Sequence, residues 1–341
     1  MAETMISVIV PAFNAVETLG ACLEALESQT VCREAYEVVV VDDGSTDRTQ
    51  AVAEEYDVVL CQQAHAGPAV GRNRGAREAR GDLLLFTDAD CAPVADWIER
   101  LAGAFDDLKV VGAKGTYRTH QKALVARFVQ LEYEERYARM LGLEQIDFVD
   151  TYSAAYRCDV FRENGGFDAR FPTASVEDQE LSFRLAAQGY QLVFVPEAVV
   201  YHTHDRTLGE YWRRKFNIGF WKALLLQWHP GRALRDTHTP QLLKVQMLLV
   251  ALLFVALLIA PLWRVTIVGG AAALAVLLVS SLPLVGRALR QDAPVAIVVP
   301  VLVLVRSLAL GLGLAAGFLR FHRGLADPRS RWRRGQVGPK Q

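Results

Sequence analysis

Leu83-Leu84-Leu85-Phe86-Thr87-Asp88-Ala89-Asp90 runs an apolar stretch directly into two carboxylates one residue apart. Four consecutive apolar residues ahead of a polar loop predict a buried strand that surfaces at its carboxyl end. Hard divalent cations take oxygen ligands of this kind, and Mg2+ often uses only one or two carboxylates plus phosphate oxygens. Taken alone, the pair reads more readily as a solvated loop with two acids. Its meaning depends on what the rest of the chain brings beside it.

Upstream, Ile6-Ser7-Val8-Ile9-Val10 reads as a buried strand stopped by Pro11. Asn14 is placed to cap a helix in which Leu19, Cys22, Leu23 and Leu26 have helical spacing. Tyr36 to Val41 is a second β-branched run and ends at Asp42-Asp43-Gly44-Ser45. Thr46 or Asp47 then stands ready to cap a helix carrying Ala51, Val52 and Ala53. Val58-Val59-Leu60 predicts a third strand, Gly67 to Gly75 a glycine-rich loop, and Ala76 to Ala79 a helix. Such strand–helix alternation predicts an α/β fold with a mainly parallel sheet flanked by helices. Ligands of these sheets bind beyond the carboxyl ends of the strands. Pro11, Asp43 and Asp88-Ala89-Asp90 each follow a strand, so they are expected along one rim.

Downstream, Trp97 to Phe105 has a helical pattern, Val110-Val111 begins a strand, and Gln121 to Leu143 reads as a long helix. Phe148 to Tyr156 is apolar with hydroxyls, and Gly165-Gly166 predicts a sharp turn. Ser175 as N-cap would put Glu177 and Asp178 in a helical first turn, where the helix dipole favours negative charge. Capping alone is therefore one explanation of those two acids. Gln191 to Val200 reads as a strand broken at Pro196, followed by His202 and His204.

The chain has 341 residues, 52% of them hydrophobic, and a formal net charge of -1. That length predicts more than one domain, and that charge gives no pull toward nucleic acid. Cys22, Cys32, Cys61, Cys91 and Cys158 are scattered, which suits reduced thiols better than a disulfide framework. Met1-Ala2-Glu3-Thr4 lacks the basic start of a secretory signal. Val245 to Trp263 and Val265 to Gly286 contain no charged residue and are separated by Arg264 alone. A third apolar stretch, Ala293 to Leu319, is interrupted by Arg306. Each is long enough to span a bilayer. An intramembrane arginine is expected to face protein, a pore or a headgroup. Arg320, Arg323, Arg329, Arg331, Arg333 and Arg334 make the tail basic, hence cytoplasmic by the positive-inside rule. A cytoplasmic tail and a cytoplasmic N-terminal half require an even number of crossings, so two spans plus a re-entrant or interfacial segment are expected. Tyr211-Trp212-Arg213-Arg214-Lys215-Phe216 and Gly219-Phe220-Trp221-Lys222 mix aromatics with cations just ahead of the first span. That mixture suits a membrane interface with anionic lipid.

Several motifs together resemble the family 2 glycosyltransferases, which have the GT-A (Rossmann-like) fold. They are Val8-Ile9-Val10-Pro11-Ala12-Phe13-Asn14, Val40-Val41-Asp42-Asp43-Gly44-Ser45-Thr46-Asp47, Gly71-Arg72-Asn73-Arg74-Gly75, Thr87-Asp88-Ala89-Asp90 and Glu177-Asp178. The resemblance covers roughly residues 5 to 205. Gly219 to His229-Pro230, with the apolar stretches behind it, is similar to the branch that extends lipid-linked exopolysaccharide units, succinoglycan-type enzymes included. The organisation it implies is a nucleotide-sugar-binding half over 1–115 and an acceptor-side half over 116–208. An amphipathic interface segment (209–241), transmembrane helices (242–320) and a basic cytoplasmic tail (321–341) would follow.

The resemblance implies that Pro11 and Asp43 contact the nucleotide base and that Arg72 approaches the base or diphosphate. Asp88 would face the ribose and diphosphate, and Asp90 would bind Mg2+ or Mn2+. Asp178 would be the general base. His202 matches a histidine near the metal, with His204 equally close in sequence and a purely structural role open to either. The leaving nucleoside diphosphate gathers negative charge that a metal neutralises, and the attacking hydroxyl must lose a proton to a carboxylate. One base opposite the leaving group gives inversion at C1. The Gln-x-x-Arg-Trp motif of processive synthases is absent, which favours a single addition. The implied partners are a nucleotide-diphosphate sugar, a polyprenyl-linked saccharide acceptor and membrane lipid, with no nucleic acid. The implied place is the inner cell membrane, multi-pass, with the catalytic domain cytoplasmic. Transfer directly to polyprenyl phosphate and a non-catalytic membrane scaffold are the alternatives. A nucleotidyltransferase would carry a lysine-containing phosphate loop after the first strand, and Pro11-Ala12-Phe13-Asn14 is not one.

Overall fold

The computed structural model describes residues 4–233, 239–261, 263 and 265–322. Arg264 and the tail arginines Arg323, Arg329, Arg331, Arg333 and Arg334 lie outside the described residues, as does part of the 209–241 segment. The chain divides into two compact units, Met1–Thr207 and Leu208–Gln341.

The first unit opens with β1 (Ile6–Ala12), α1 (Leu19–Glu27), β2 (Tyr36–Asp42), α2 (Thr49–Ala53), β3 (Val59–Gln62), α3 (Pro68–Glu78) and β4 (Leu83–Phe86). It continues through β5 (Cys91–Pro93), α4 (Trp97–Gly103), β6 (Val110–Arg118), α5 (Leu124–Met140), β7 (Ala154–Arg157), α6 (Cys158–Glu163), α7 (Glu177–Ala187) and β8 (Gln191–His202). The strands form one eight-stranded sheet in the order β3-β2-β1-β4-β7-β6-β8-β5. β1, β2, β3 and β4 are mutually parallel, and β6 is parallel to β8. β7 is antiparallel to both β4 and β6, so β6 and β8 point the same way as β4. Only β7 and the edge strand β5 run in reverse.

The apolar runs that announce β1, β2 and β4 are buried along their length, as strands covered on both faces must be. Phe86, Tyr156, Phe161 and Phe167 interlock beneath the sheet in edge-on and tilted contacts.

Several local expectations change. Gly67 to Gly75 is not a loop: the helix α3 starts at Pro68, with Gly67 at φ 94° as its N-cap. Proline at N1 is preset for a helix, and the glycines serve packing instead. A β-carbon at Gly75 would stand 2.5 Å from Ile9 Cγ2 and 3.2 Å from Val41 Cγ2. Asn14 does not cap α1. It adopts φ 49°, and its Oδ1 accepts from the Thr46 N–H at 2.8 Å, tying the loop after β1 to the loop after β2. Ser175 does not cap α7 either: Val176 holds that position, and the Ser175 N–H donates to Glu177 Oε2 at 2.8 Å. Pro196 does not break β8, which absorbs it at a register shift opposite Lys114–Thr116 and runs on to His202.

The second unit contains α8 (Leu208–Trp228), α9 (Gln241–Ile259), α10 (Thr266–Gln291) and α11 (Ala293–Phe321). The last three are long and apolar enough to cross a membrane. Arg306, on α11, is buried and donates to Gln246 Oε1 on α9 at 2.7 Å. Gln246 Nε2 in turn donates to Ser280 Oγ on α10 at 3.1 Å, so the arginine faces protein and joins three helices. Gly219 on α8 and Gly313 and Gly317 on α11 let those two helices touch backbone to backbone.

Candidate active site

Strand register assembles the rim. Pro11 pairs with Val41, Ala12 with Asp42 and Ile9 with Phe86, so the residues that follow β1, β2 and β4 emerge side by side. Asp43, 3% exposed, has its carboxylate filled by local donors. Oδ1 accepts from Gln63 Nε2 at 2.6 Å and Ala66 N–H at 2.9 Å, and Oδ2 accepts from Gly67 N–H at 2.8 Å. His65 Nδ1 lies 2.9 Å from Oδ2, and its ring stacks on Phe13 at 4.0 Å between centroids. Phe13 and His65 are both well exposed, and they form an aromatic shelf beside Asp43 that the sequence reading missed. An aromatic residue immediately after the Pro11-Ala12 strand end was its one signal.

Asp90 and His202 come together at the other end of the rim. Cys91 on β5 pairs in register with His202 on β8, which carries Asp90 Oδ2 to 3.2 Å from His202 Nε2. Asp90, Cys91 and His202 present ligand atoms within 4.8 Å of one another. Neighbouring ligands on one ion with bonds of about 2.1 Å stand about 3 Å apart, so the Asp90–His202 pair fits a divalent cation. A carboxylate with an imidazole suits Mn2+ and Mg2+, with the nitrogen favouring Mn2+. His204 sits behind rather than beside Asp90: its Nδ1 is 3.0 Å from His202 Nδ1, and its Nε2 is 3.2 Å from Gln130 Oε1. Tyr117 stacks on the His202 ring at 4.6 Å and holds its plane.

Between these ends lies Arg72, on α3 and 2% exposed. Its Nη2 donates to Asp88 Oδ1 at 2.7 Å and its Nη1 to Glu177 Oε1 at 3.0 Å. Both terminal nitrogens are thus engaged by protein carboxylates, whereas the sequence pointed Arg72 at a base or diphosphate. About a quarter of the Asp88 side chain stays exposed on the rim. α3 also grips the approach to α7. Asn73 Nδ2 donates to the Phe167 carbonyl at 2.7 Å, and Asn73 Oδ1 accepts from the Phe167 N–H at 2.9 Å, beside Gly165 and Gly166, both at positive φ.

Asp178 follows Glu177 in the first turn of α7 and is half-buried. Desolvation first, and the Glu177 charge second, push its carboxyl up to about 7, against the pull of the Gln179 N–H, Arg72 and Lys114. A carboxylate poised there is half ionised near neutrality and accepts a proton more readily than an ordinary aspartate. Lys114, in the middle of β6, is fully buried and ion-paired with Asp150, whose Oδ2 also accepts from Tyr152 Oη at 2.9 Å. A lysine inside the otherwise small and apolar run Val110 to Gly115 was the available signal for it.

The sequence description Glycosyl transferase family 2 matches residues 7–165. The glycosyltransferase AglE of Haloferax volcanii is 28% identical over 226 residues, which is 63% of this chain and 71% of that relative. The pre-mycofactocin glycosyltransferase of Mycobacterium tuberculosis is 30% identical over 205 residues, 57% of this chain but only 43% of that longer relative. Among solved structures, the mannosyltransferase PcManGT of Pyrobaculum calidifontis, in complex with GDP-Man and Mn2+, superposes with a TM-score of 0.59. That superposition, at 20% identity, covers 93% of this chain and 88% of the other, and it shows a shared fold. Residues 7–165 therefore match the family 2 glycosyltransferases, the N-terminal unit has the GT-A fold, and the chain is a glycosyltransferase.

Proposed function

We propose that this enzyme transfers a sugar, with inversion, from a nucleotide-diphosphate sugar to a lipid-linked saccharide at a membrane surface, in cell-surface or exopolysaccharide assembly. The observation that carries the reaction is one rim bearing two separate acid sites: Asp90 with His202 at 3.2 Å, and Asp178 at the start of α7. The first is built for a cation and the second for a proton.

Asp90 and His202 would hold Mg2+ or Mn2+, and the ion would supply charge neutralisation for the departing diphosphate. The complex of PcManGT with GDP-Man and Mn2+ supports that pairing of donor and metal. Pro11 and Asp43 mark the base end of the donor, where the Asp43 carboxylate, taken up by Gln63 and the Ala66 and Gly67 N–H groups, would have to exchange one of these local donors to accept from a base. Phe13 and His65 offer the base a stacking face. Asp88 orients the ribose–diphosphate portion. Asp178 accepts the proton of the attacking hydroxyl, and its raised pKa matches that task near neutral pH. Attack from the side opposite the leaving group inverts C1.

The membrane assignment rests on α9, α10 and α11. A cytoplasmic catalytic unit in the inner cell membrane together with a cytoplasmic basic tail needs one of these three helices to be re-entrant or interfacial, since three full crossings would put the two on opposite sides. An acceptor anchored by a polyprenyl chain is the natural substrate class for an enzyme so anchored. Asp178→Asn is expected to reduce transfer by about a thousandfold or more while Mn2+–nucleotide affinity changes little. Calorimetric titration of the variant with GDP or UDP plus Mn2+ checks this. Loss of binding would assign Asp178 to the donor site instead.

A further inference from the structure

We propose that Arg72 and Glu177 are positioning residues for the base rather than ligands of the nucleotide: they form a buried strap that fixes the start of α7 against the Asp88 loop. The inference rests on the reading of Asp178 as the general base. The Arg72 side chain bonds both the β4 loop and α7, through Asp88 at 2.7 Å and Glu177 at 3.0 Å. An arginine that recognises a diphosphate presents its fork of donors to the ligand. Here the fork is split between two protein carboxylates, and the side chain is 2% exposed. Glu177 is equally buried, and its second oxygen is held by the Ser175 N–H at 2.8 Å. Glu177 is therefore held from two sides, and Asp178 is one peptide bond away from it.

The strap also sets the electrostatic surroundings of the base. Four groups face Asp178 from the elements around it: Glu177 on its own helix, Arg72 from α3, Lys114 from β6 and Tyr156 from β7. Glu177 disfavours the carboxylate, whereas Arg72 and Lys114 favour it. Pairing Glu177 to Arg72 offsets the cation that would otherwise make Asp178 a weak base. Glu177 thus has work to do beyond packing, although it need not touch either substrate.

Glu177→Gln keeps an oxygen for Arg72 and deletes the charge. In the full-length enzyme in detergent, nucleotide release from GDP-mannose, UDP-glucose or UDP-N-acetylglucosamine at saturating Mn2+ is followed as a function of pH. The acid limb of that profile is expected to move down by about one pH unit, with nucleotide affinity within about twofold of wild type. An unmoved acid limb overturns the proposal. Arg72→Lys keeps the charge but cannot span both carboxylates, so kcat is expected to fall about tenfold with nucleotide affinity within about threefold. A tenfold or greater loss of nucleotide affinity at unchanged kcat would make Arg72 a donor ligand and also overturn it. Asp178→Asn separates this from failure of the underlying reading. If that variant still turns over, the base assignment falls. If it is inactive while the Glu177→Gln limb stays put, the strap alone falls.

Discussion

Two histidines two residues apart do different things because strand pairing gives them different neighbours. His202 is opposite Cys91 and so meets Asp90, whereas His204 lies past the end of β8 and meets the back of the His202 ring. A histidine that bonds the far nitrogen of a metal ligand fixes its tautomer, and losing such a partner typically costs 10- to 100-fold in metal affinity. Removal of His204 is accordingly expected to weaken Mn2+ binding about tenfold, and removal of His202 or neutralisation of Asp90 to weaken it further. Direct Mn2+ titration of His204→Ala, His202→Ala and Asp90→Asn, read by electron paramagnetic resonance, orders the three. Equal affinity in wild type and His202→Ala would remove His202 from the site.

At the scale of elements, α3 holds the Asp88 loop and the start of α7 in one frame. Its face toward the sheet is made by Gly71 and Gly75, with Gly75 pressed against Ile9 and Val41. Overpacking of such a contact costs about 1–3 kcal/mol, so Gly75→Ala is expected to lower the thermal midpoint by about 4 °C. A thermal melt in detergent followed by tryptophan fluorescence measures it, and an unchanged midpoint would mean that α3 has room to lift. The same helix shows where sequence reading stops. Apolar runs revealed β1, β2 and β4 because burial on both faces leaves a continuous signature, and the rule for carboxyl ends then gathered Pro11, Asp43, Asp88 and Asp90. Glycines at 67, 71 and 75 suggested a loop, because composition does not say whether a glycine serves a turn or a close approach. The antiparallel insertion of β7 and the reversed β5 left no local mark, since pairing is decided by partners far away in the chain. The bridge that Arg72 makes was not legible, because Asp88 and Glu177 are 16 and 105 positions distant.

On the scale of the whole molecule, a GT-A unit is joined in one chain to three helices of 19, 26 and 29 residues that are apolar enough to span a bilayer. Arg306, Gln246 and Ser280 give that second unit an internal polar join, which hydrocarbon would tolerate only with its partners in place. The donor side of the proposed reaction is testable before its acceptor is known. The most direct measurement incubates the purified full-length protein in detergent with a panel of sugar nucleotides and follows nucleotide release, with Mn2+ and then with excess chelator. Release from one donor that requires Mn2+ and stops on chelation is the expected result. Release that is unaffected by the chelator, or no release from any donor in the presence of Mn2+, would contradict the account.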